Sequence, residues 1–387
     1  MGTGVHNPGW ILASAKRDFR PASQRTPAFY CTCVPNCVTP ILFGVSFFLF
    51  LSRAETRGVA ARPLFRRRLW LLLAIGLVHA TLLWSGDILT VYALLGFALV
   101  PFYGRSSRTL LAWAAGLLAL PVVVYALMWV GGMADPLARP PVAPGNAAPG
   151  SADRPDLVGL IIAGFRGVGY LDMLQANLIQ LAGRWVELFT TARLPKVLGM
   201  FLLGLWVGQR GVARDLDVHA GLLRLVAAWG FGLGLPLNVA AAWLVAGGVP
   251  YLPGSALGMA EVVAAAVGVP LLALGYAAGL ALLMRSGLAS KVLVALAPVG
   301  RMALTNYLLQ TLACVFVFYG IGLGLYGEVG TAAAGIAFLI FAFQVPLSWW
   351  WLGRYRFGPV EWVWRRMTYR APLALRRPPV GSSPRAA

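Results

Sequence analysis

Long apolar segments, separated by connections rich in arginine, recur along the chain and leave few folds open to it. Apolar residues make up 59% of the sequence and charged residues only 12%, whereas a soluble domain carries about 25% charged residues. The sequence therefore predicts an all-α, polytopic bundle of transmembrane helices. About nine spans are predicted, at residues 41–51, 69–84, 88–103, 109–132, 197–209, 221–247, 255–284, 302–325 and 330–352.

The numbers of basic residues in successive connections alternate along the chain. Six follow the first predicted span, none follows the second and eight follow the ninth. Since basic residues concentrate in cytoplasmic connections, the tail, residues 353–387, is predicted to be cytoplasmic. The long loop, residues 133–196, is predicted to lie outside, with interfacial helices in its second part. The basic residues that orient the protein in the membrane account for the net charge of +19, so we do not expect nucleic acid as a partner. The expected partner is the lipid bilayer.

One histidine lies deep within the second predicted span. His79 is ten residues beyond Leu69, about 15 Å along a helix. An ionisable residue at that depth favours a functional role, such as a general base or proton relay. The alternative is a neutral histidine that hydrogen-bonds a neighbouring helix. Asp87, eight residues later, would either orient His79 or cap the next helix.

Further polar residues lie at the start of the eighth predicted span and within the long loop. Asn306 and Gln310 share a helix face, and they are predicted either to line a substrate cavity or to hold helices together. Arg301 would bind phosphate or anchor the span at the cytoplasmic face. The predicted cavity residues are Asn306, Gln310, Arg184, Thr305 and Tyr307.

The amino-terminal segment, residues 1–40, mixes proline, cysteine and basic residues without helical or strand periodicity. Cys31, Cys33 and Cys37 lie close together there, but a structural zinc site needs four ligands, so no metal is expected. The predicted topology would place this segment outside. It is therefore expected to be an atypical or altered start ahead of the transmembrane domain, residues 41–352.

Three stretches carry a resemblance to a known family: residues 77–97, 300–319 and 358–370 (LVHATLLWSGDILTVYALLGF, GRMALTNYLLQTLACVFVFY and GPVEWVWRRMTYR). They resemble the YeiB-like bacterial inner-membrane proteins, domain-of-unknown-function family 418. Members of that family open with a further helix that has no counterpart here. The resemblance implies a protein of the bacterial inner membrane, and the alternation of basic residues predicts a multi-pass topology with a cytoplasmic C-terminus.

That family is similar to the transmembrane acyltransferases, which pass an acyl group from cytoplasmic acyl-CoA to an acceptor, often a sugar. The resemblance implies His79 as catalytic base, with Asp87 orienting it. Arg301 and Arg68 would hold the phosphates of acyl-CoA, which is expected as a co-substrate rather than a tightly bound cofactor. The alternatives are a small-solute transporter with a His79–Asp87 proton relay and a non-catalytic membrane scaffold.

Overall fold

The computed structural model describes residues 33–131, 157–212, 214–246, 255–288, 290–330 and 332–377. Within them every named element is helical, and extended pairing is limited to one isolated bridge between Tyr355 and Arg376. The all-α prediction is confirmed for this part of the chain. The helices are α1 Cys33–Glu55, α2 Ala61–Leu82, α3 Leu89–Leu99, α4 Ser107–Val130, α5 Leu157–Arg166, α6 Tyr170–Thr190, α7 Arg193–Gln209, α8 Ala220–Trp229, α9 Leu235–Ala246, α10 Ala256–Ser286, α11 Ser290–Arg301, α12 Ala303–Phe318, α13 Ala332–Arg354 and α14 Pro359–Tyr369.

Five helical segments in the described part are long and apolar enough to cross a bilayer. They are α1 from Val38, α4, the continuous α8–α9 segment, α10 and α13. Two pairs bent at short breaks, α6 with α7 and α11 with α12, raise the number to seven if each pair is one span. The chain is a multi-helix membrane protein, but nine spans are not confirmed. Helix α3, for example, has only 11 residues, whereas a span needs about 20.

Several predicted boundaries differ from the helices. Helix α1 starts at Cys33 and continues through Pro40, where the sequence predicted an irregular segment. Helix α12 ends at Phe318, not at residue 325, because the chain turns and the Gly320 amide donates to the Phe165 carbonyl, 2.8 Å away. Parts of three predicted segments lie outside the described residues: the amino-terminal segment at residues 1–32, the long loop at residues 133–156 and the tail at residues 378–387.

The main core forms where α1 crosses α7. Glycines allow this crossing to be close: a Cβ on Gly44 would lie 2.1 Å from the Phe201 carbonyl oxygen, and one on Gly204 2.1 Å from that of Ile41. Gly204 and Gly208 form a GxxxG pair, which is typical of close helix contacts in membranes. Phe47 and other side chains buried beside this crossing form the largest cluster of buried apolar residues in the described chain.

Helices α2 and α3 form a hairpin whose connecting loop carries Asp87. Their contact is close as well, since a Cβ on Gly76 would lie 2.6 Å from the Thr90 amide nitrogen. Helix α6 packs against α2, and α14 packs against both α2 and α12. These contacts bring the end of α2, the hairpin loop and the middle of α12 into one buried region.

The break between α11 and α12 bends the chain by 79°. Helix α12 therefore begins inside the bundle, where its first amide groups need hydrogen-bond acceptors. Glu361 of α14 supplies one, because its carboxylate accepts from the Thr305 amide at 2.9 Å and also from the Thr305 hydroxyl. Helix α12 is thus fixed in position by a buried carboxylate from the last described helix.

Candidate functional site

The hairpin loop and the end of α2 form a buried histidine–carboxylate pair. His79 Nδ1 lies 2.9 Å from Asp87 Oδ1, and each side chain is only 1% exposed. The other carboxylate oxygen accepts the Thr90 amide proton at 2.6 Å. Asp87 therefore has both predicted contacts: it holds the imidazole and binds an amide of the first turn of α3.

The hydrogen bonds of Asp87 favour its charged form. The loop between α2 and α3 buries this carboxyl group, which by itself would raise its pKa. Hydrogen bonds from His79 and Thr90 outweigh burial, so the pKa of Asp87 is below its ordinary value. A charged Asp87 accepts the Nδ1 proton of His79 and fixes the orientation of the ring.

Helix α12 supplies the other side of the site. Tyr307 donates its hydroxyl proton to Asp87 Oδ1 at 3.2 Å and accepts the Ile88 amide proton at 3.3 Å. One turn later, the Thr311 hydroxyl oxygen lies 3.0 Å from His79 Nε2. The buried chain of contacts is therefore carboxylate, imidazole and hydroxyl, in that order.

The Thr311 hydroxyl has two neighbours that can take its proton, His79 Nε2 and the Tyr307 carbonyl oxygen, the latter 3.2 Å away. When His79 is neutral and donates Nδ1–H to Asp87, Nε2 accepts the proton of Thr311. When the imidazole carries two protons, Nε2–H donates to Thr311, whose own proton turns to the Tyr307 carbonyl. Both protonation states of His79 are thus satisfied without movement of the backbone.

Helix α6 closes the site from a third side. Asn177 is fully buried, accepts the Ser85 amide proton at 2.6 Å and donates to the carbonyl oxygens of Ala80 and Thr81. Arg184 donates to the Asp87 carbonyl oxygen at 3.2 Å. A cavity of about 20 Å³ lies against Ser85, Asp87 and Arg184, which is space for about one water molecule.

Asn306, predicted beside the site, instead joins three helices. Its amide donates to the Val299 carbonyl in α11 and to the Ser348 hydroxyl in α13, at 3.2 and 3.0 Å. Gln344 of α13 donates to the backbone carbonyl oxygen of Asn306 at 2.8 Å. Gln310, one turn further, is half-buried and makes no side-chain hydrogen bond within the described chain. These contacts of Asn306 fit the second predicted role, in which it holds helices together, rather than the lining of a substrate cavity.

We expect Asn306→Leu to lower the free energy of unfolding by about 1–3 kcal/mol, because the buried Ser348 hydroxyl loses the Asn306 donor and the Val299 carbonyl loses one of its two donors. Thermal unfolding of the detergent-solubilised protein measures the effect. Gln310→Leu, one turn away on the same helix, is the matched control and should shift stability by no more than about 0.5 kcal/mol. Equal effects of the two substitutions would contradict the joining role.

The remaining predicted residues lie apart from His79. Thr305 contacts Glu361 rather than the imidazole. The Arg68 guanidinium lies between two rings, 4.5 Å from the centre of Phe50 and 4.1 Å from that of Trp364. Arg301 is exposed and donates to the Arg356 carbonyl oxygen at 3.4 Å. Of the predicted residues, His79, Asp87, Tyr307 and Arg184 come together, and Thr305, Asn306, Gln310, Arg68 and Arg301 do not join them.

Comparison with known proteins identifies relatives along most of the chain. "Uncharacterized protein YxaH" of Bacillus subtilis (strain 168) is 33% identical over 339 residues, which cover 85% of this chain and 77% of the relative. The profile of the family described as "Protein of unknown function (DUF418)" matches residues 207–371. The chain belongs to the DUF418 family. "Uncharacterized protein YeiB" of Escherichia coli (strain K12) is 27% identical over 386 residues, 94% of this chain and 89% of that protein.

A further relative of this DUF418 protein is the "Uncharacterized 39.9 kDa protein in amylase 3'region" of Bacillus acidopullulyticus. It is 27% identical over 352 residues, covering 87% of this chain and 80% of the relative. No solved structure matches the chain. The comparisons confirm the family predicted from the sequence motifs. The names of the family and of these relatives state no activity, so the site itself is the basis for inferring the chemistry.

Sequence reasoning missed several site residues of this DUF418 protein. Thr311 is 232 positions from His79, and nothing near it in the sequence marks it as a partner. Its spacing of four from Tyr307 was an available signal, since both lie on one face of α12. Asn177 follows the buried Met173 at a helical spacing, which was the available signal for it.

Proposed function

We propose that this protein transfers an acyl group from cytoplasmic acyl-CoA to an acceptor hydroxyl or amine at the bacterial inner membrane. The observation that carries the proposal is the ordered contact of Asp87, His79 and a hydroxyl, with Nε2 3.0 Å from the Thr311 oxygen. This is the distance at which a histidine removes a hydroxyl proton. The sequence motifs resemble the YeiB-like family, and the similarity of that family to membrane acyltransferases supports the same chemistry.

In the proposed reaction, the acceptor hydroxyl takes the place of the Thr311 hydroxyl at His79 Nε2. His79 removes its proton while the oxygen attacks the thioester carbonyl carbon. The C–O bond forms, the C–S bond breaks, and the imidazolium returns the proton to the leaving thiolate. Asp87 holds the ring and stabilises its positive charge, as a carboxylate does behind other catalytic histidines.

The proposed donor site lies near Arg301 and Arg68. The Arg68 guanidinium contacts the rings of Phe50 and Trp364 and is hydrogen-bonded to Tyr369. In the proposed site its remaining N–H groups donate to phosphate oxygens. Arg301 is exposed near the start of α12. Because the cavity beside Asp87 measures only about 20 Å³, the proposed acceptor, such as a sugar, enters only if side chains around it, Trp185 among them, move.

The test is release of free thiol from acetyl-CoA and palmitoyl-CoA by the purified full chain in liposomes. We expect catalytic release that increases when a mixture of monosaccharides is added as acceptor, and transfer of labelled acetyl to one of them. Absence of both release and acyl-CoA binding by folded protein would overturn the proposal.

One observation favours the transporter alternative. His79 is 1% exposed, and it lines neither of the two cavities described for this chain. A buried histidine–carboxylate pair in a membrane bundle also suits a proton relay. Solute uptake into liposomes driven by a pH gradient, without consumption of acyl-CoA, would identify that function.

A further inference from the structure

A second, larger cavity lies between α12, α13 and α14. Its volume is about 420 Å³, and most of its wall comes from Leu308, Leu309, Leu312, Leu347, Trp350 and Trp351. Thr305 is the one lining residue in the described chain that is neither apolar nor aromatic, and its hydroxyl is bonded to Glu361. The cavity thus offers an apolar surface with no free polar partner for a sugar or a nucleotide.

The dimensions of this cavity match one leaflet of a bilayer. Its lining runs along α12 from Met302 to Leu312, ten residues or about 15 Å. That is half of the roughly 30 Å hydrocarbon thickness of a membrane. Leu309, Leu312 and Trp350 are 39%, 47% and 51% exposed, so the cavity opens to the side that faces lipid in a membrane protein.

Three exposed arginines, Arg301, Arg354 and Arg356, lie near one end of the cavity. Arg301 precedes the lining residue Met302, and its guanidinium donates to the Arg356 carbonyl oxygen. The Arg354 guanidinium lies 4.7 Å from the ring centre of the lining residue Trp350. In the described chain no acid forms an ion pair with any of these arginines, and the nearby Glu361 is bonded to Thr305.

We propose that this cavity binds an anionic phospholipid. One acyl chain lies along α12, and the headgroup phosphate binds Arg354 and Arg356. Guanidinium groups bind phosphate through short, charge-assisted hydrogen bonds, and basic sites between membrane helices bind anionic headgroups. The lining residues lie on a different face of α12 from Tyr307 and Thr311, so the proposal does not depend on acyl transfer.

Native mass spectrometry of the full chain tests the site, with phosphatidylglycerol and phosphatidylcholine as probes in detergent. We expect one tightly retained phosphatidylglycerol and about tenfold weaker retention of phosphatidylcholine. Arg354→Gln should weaken phosphatidylglycerol binding by about tenfold, the loss expected for one charge-assisted contact. Arg108→Gln, another exposed arginine, is its matched control and should have no effect.

A second variant tests the apolar part of the site. Leu312→Trp fills the cavity and should abolish retention of both lipids. Leu127→Trp, at a position of α4 where the leucine is 64% exposed, should not affect retention. Equal binding of the two lipids, or an Arg354→Gln protein that binds like the Arg108→Gln protein, would overturn the proposal. Displacement of phosphatidylglycerol by inorganic phosphate alone would overturn it too, because the site would then recognise phosphate without the acyl chain.

Discussion

Replacing His79 by glutamine is expected to lower the rate of acyl-CoA-dependent thiol release by about 10²–10⁴-fold, the contribution of a general base. Glutamine keeps a hydrogen-bond donor for Asp87 but cannot accept a proton from an incoming hydroxyl. Binding of acyl-CoA should change little, because Arg301 and Arg68, assigned to its phosphates, lie apart from the imidazole. The measurement compares turnover and calorimetric binding of acetyl-CoA for the two proteins.

His219 provides the matched control for this substitution. It lies in the turn before α8, where Nδ1 is 2.8 Å from the Asp215 carbonyl oxygen, and it does not touch the His79 site. His219→Gln should leave turnover unchanged. A His79→Gln protein that stays folded, binds acetyl-CoA and releases thiol at the wild-type rate would exclude His79 as the base, even if the acyl transfer itself is observed.

The largest expected loss of stability comes from Gly204→Leu. A Cβ at this position would lie 2.1 Å from the Ile41 carbonyl oxygen and 2.9 Å from its carbonyl carbon. These are backbone atoms of α1, so no side-chain rotation relieves the overlap and the two helices must separate. We expect the free energy of unfolding to fall by about 3 kcal/mol, at the upper end for overpacked positions. Thermal unfolding in detergent is the measurement.

Gly116→Leu is the control for Gly204→Leu. Gly116 lies in α4, and no atom beyond its own helical neighbourhood lies within 4 Å of the Cβ it would gain. Both variants add the same side chain to a helix of the membrane bundle, so only the contact with α1 differs. If the two proteins unfolded at the same temperature, the close crossing of α1 and α7 would not contribute to stability as described.

The pairing of His79 with Asp87 could be predicted because it is local. Eight residues and a glycine-containing turn separate the two, and an ionisable residue within an apolar run already requires a partner. The same reasoning treated the capping of α3 as an alternative to the contact with His79. A carboxylate has two oxygens, and Asp87 uses one for each contact.

The contacts from α6 and α12 could not be predicted, because they depend on how distant helices pack. Helical spacing places Thr311 on the same face as Tyr307 and Asn177 on the same face as Met173, but it does not show which helices those faces contact. The prediction of nine spans is not confirmed for a related reason: hydropathy finds apolar segments but does not show that α11 and α12 meet at a sharp bend. Within the motif at residues 358–370, nothing local marks Glu361 as a buried contact, although it is only 8% exposed.

The hydrogen bonds between Glu361 and Thr305 allow α14 to stabilise the position of α12 at the histidine site. Thr311 is six residues beyond Thr305 on α12, about 9 Å along the helix axis. The Glu361 carboxylate holds Thr305 in place and therefore also fixes the position of Thr311 along that axis. If α14 were displaced, the first turn of α12 would lose an acceptor and the helix could slide along its axis. The separation of the Thr311 hydroxyl from the imidazole is thus set partly by a residue that touches neither group.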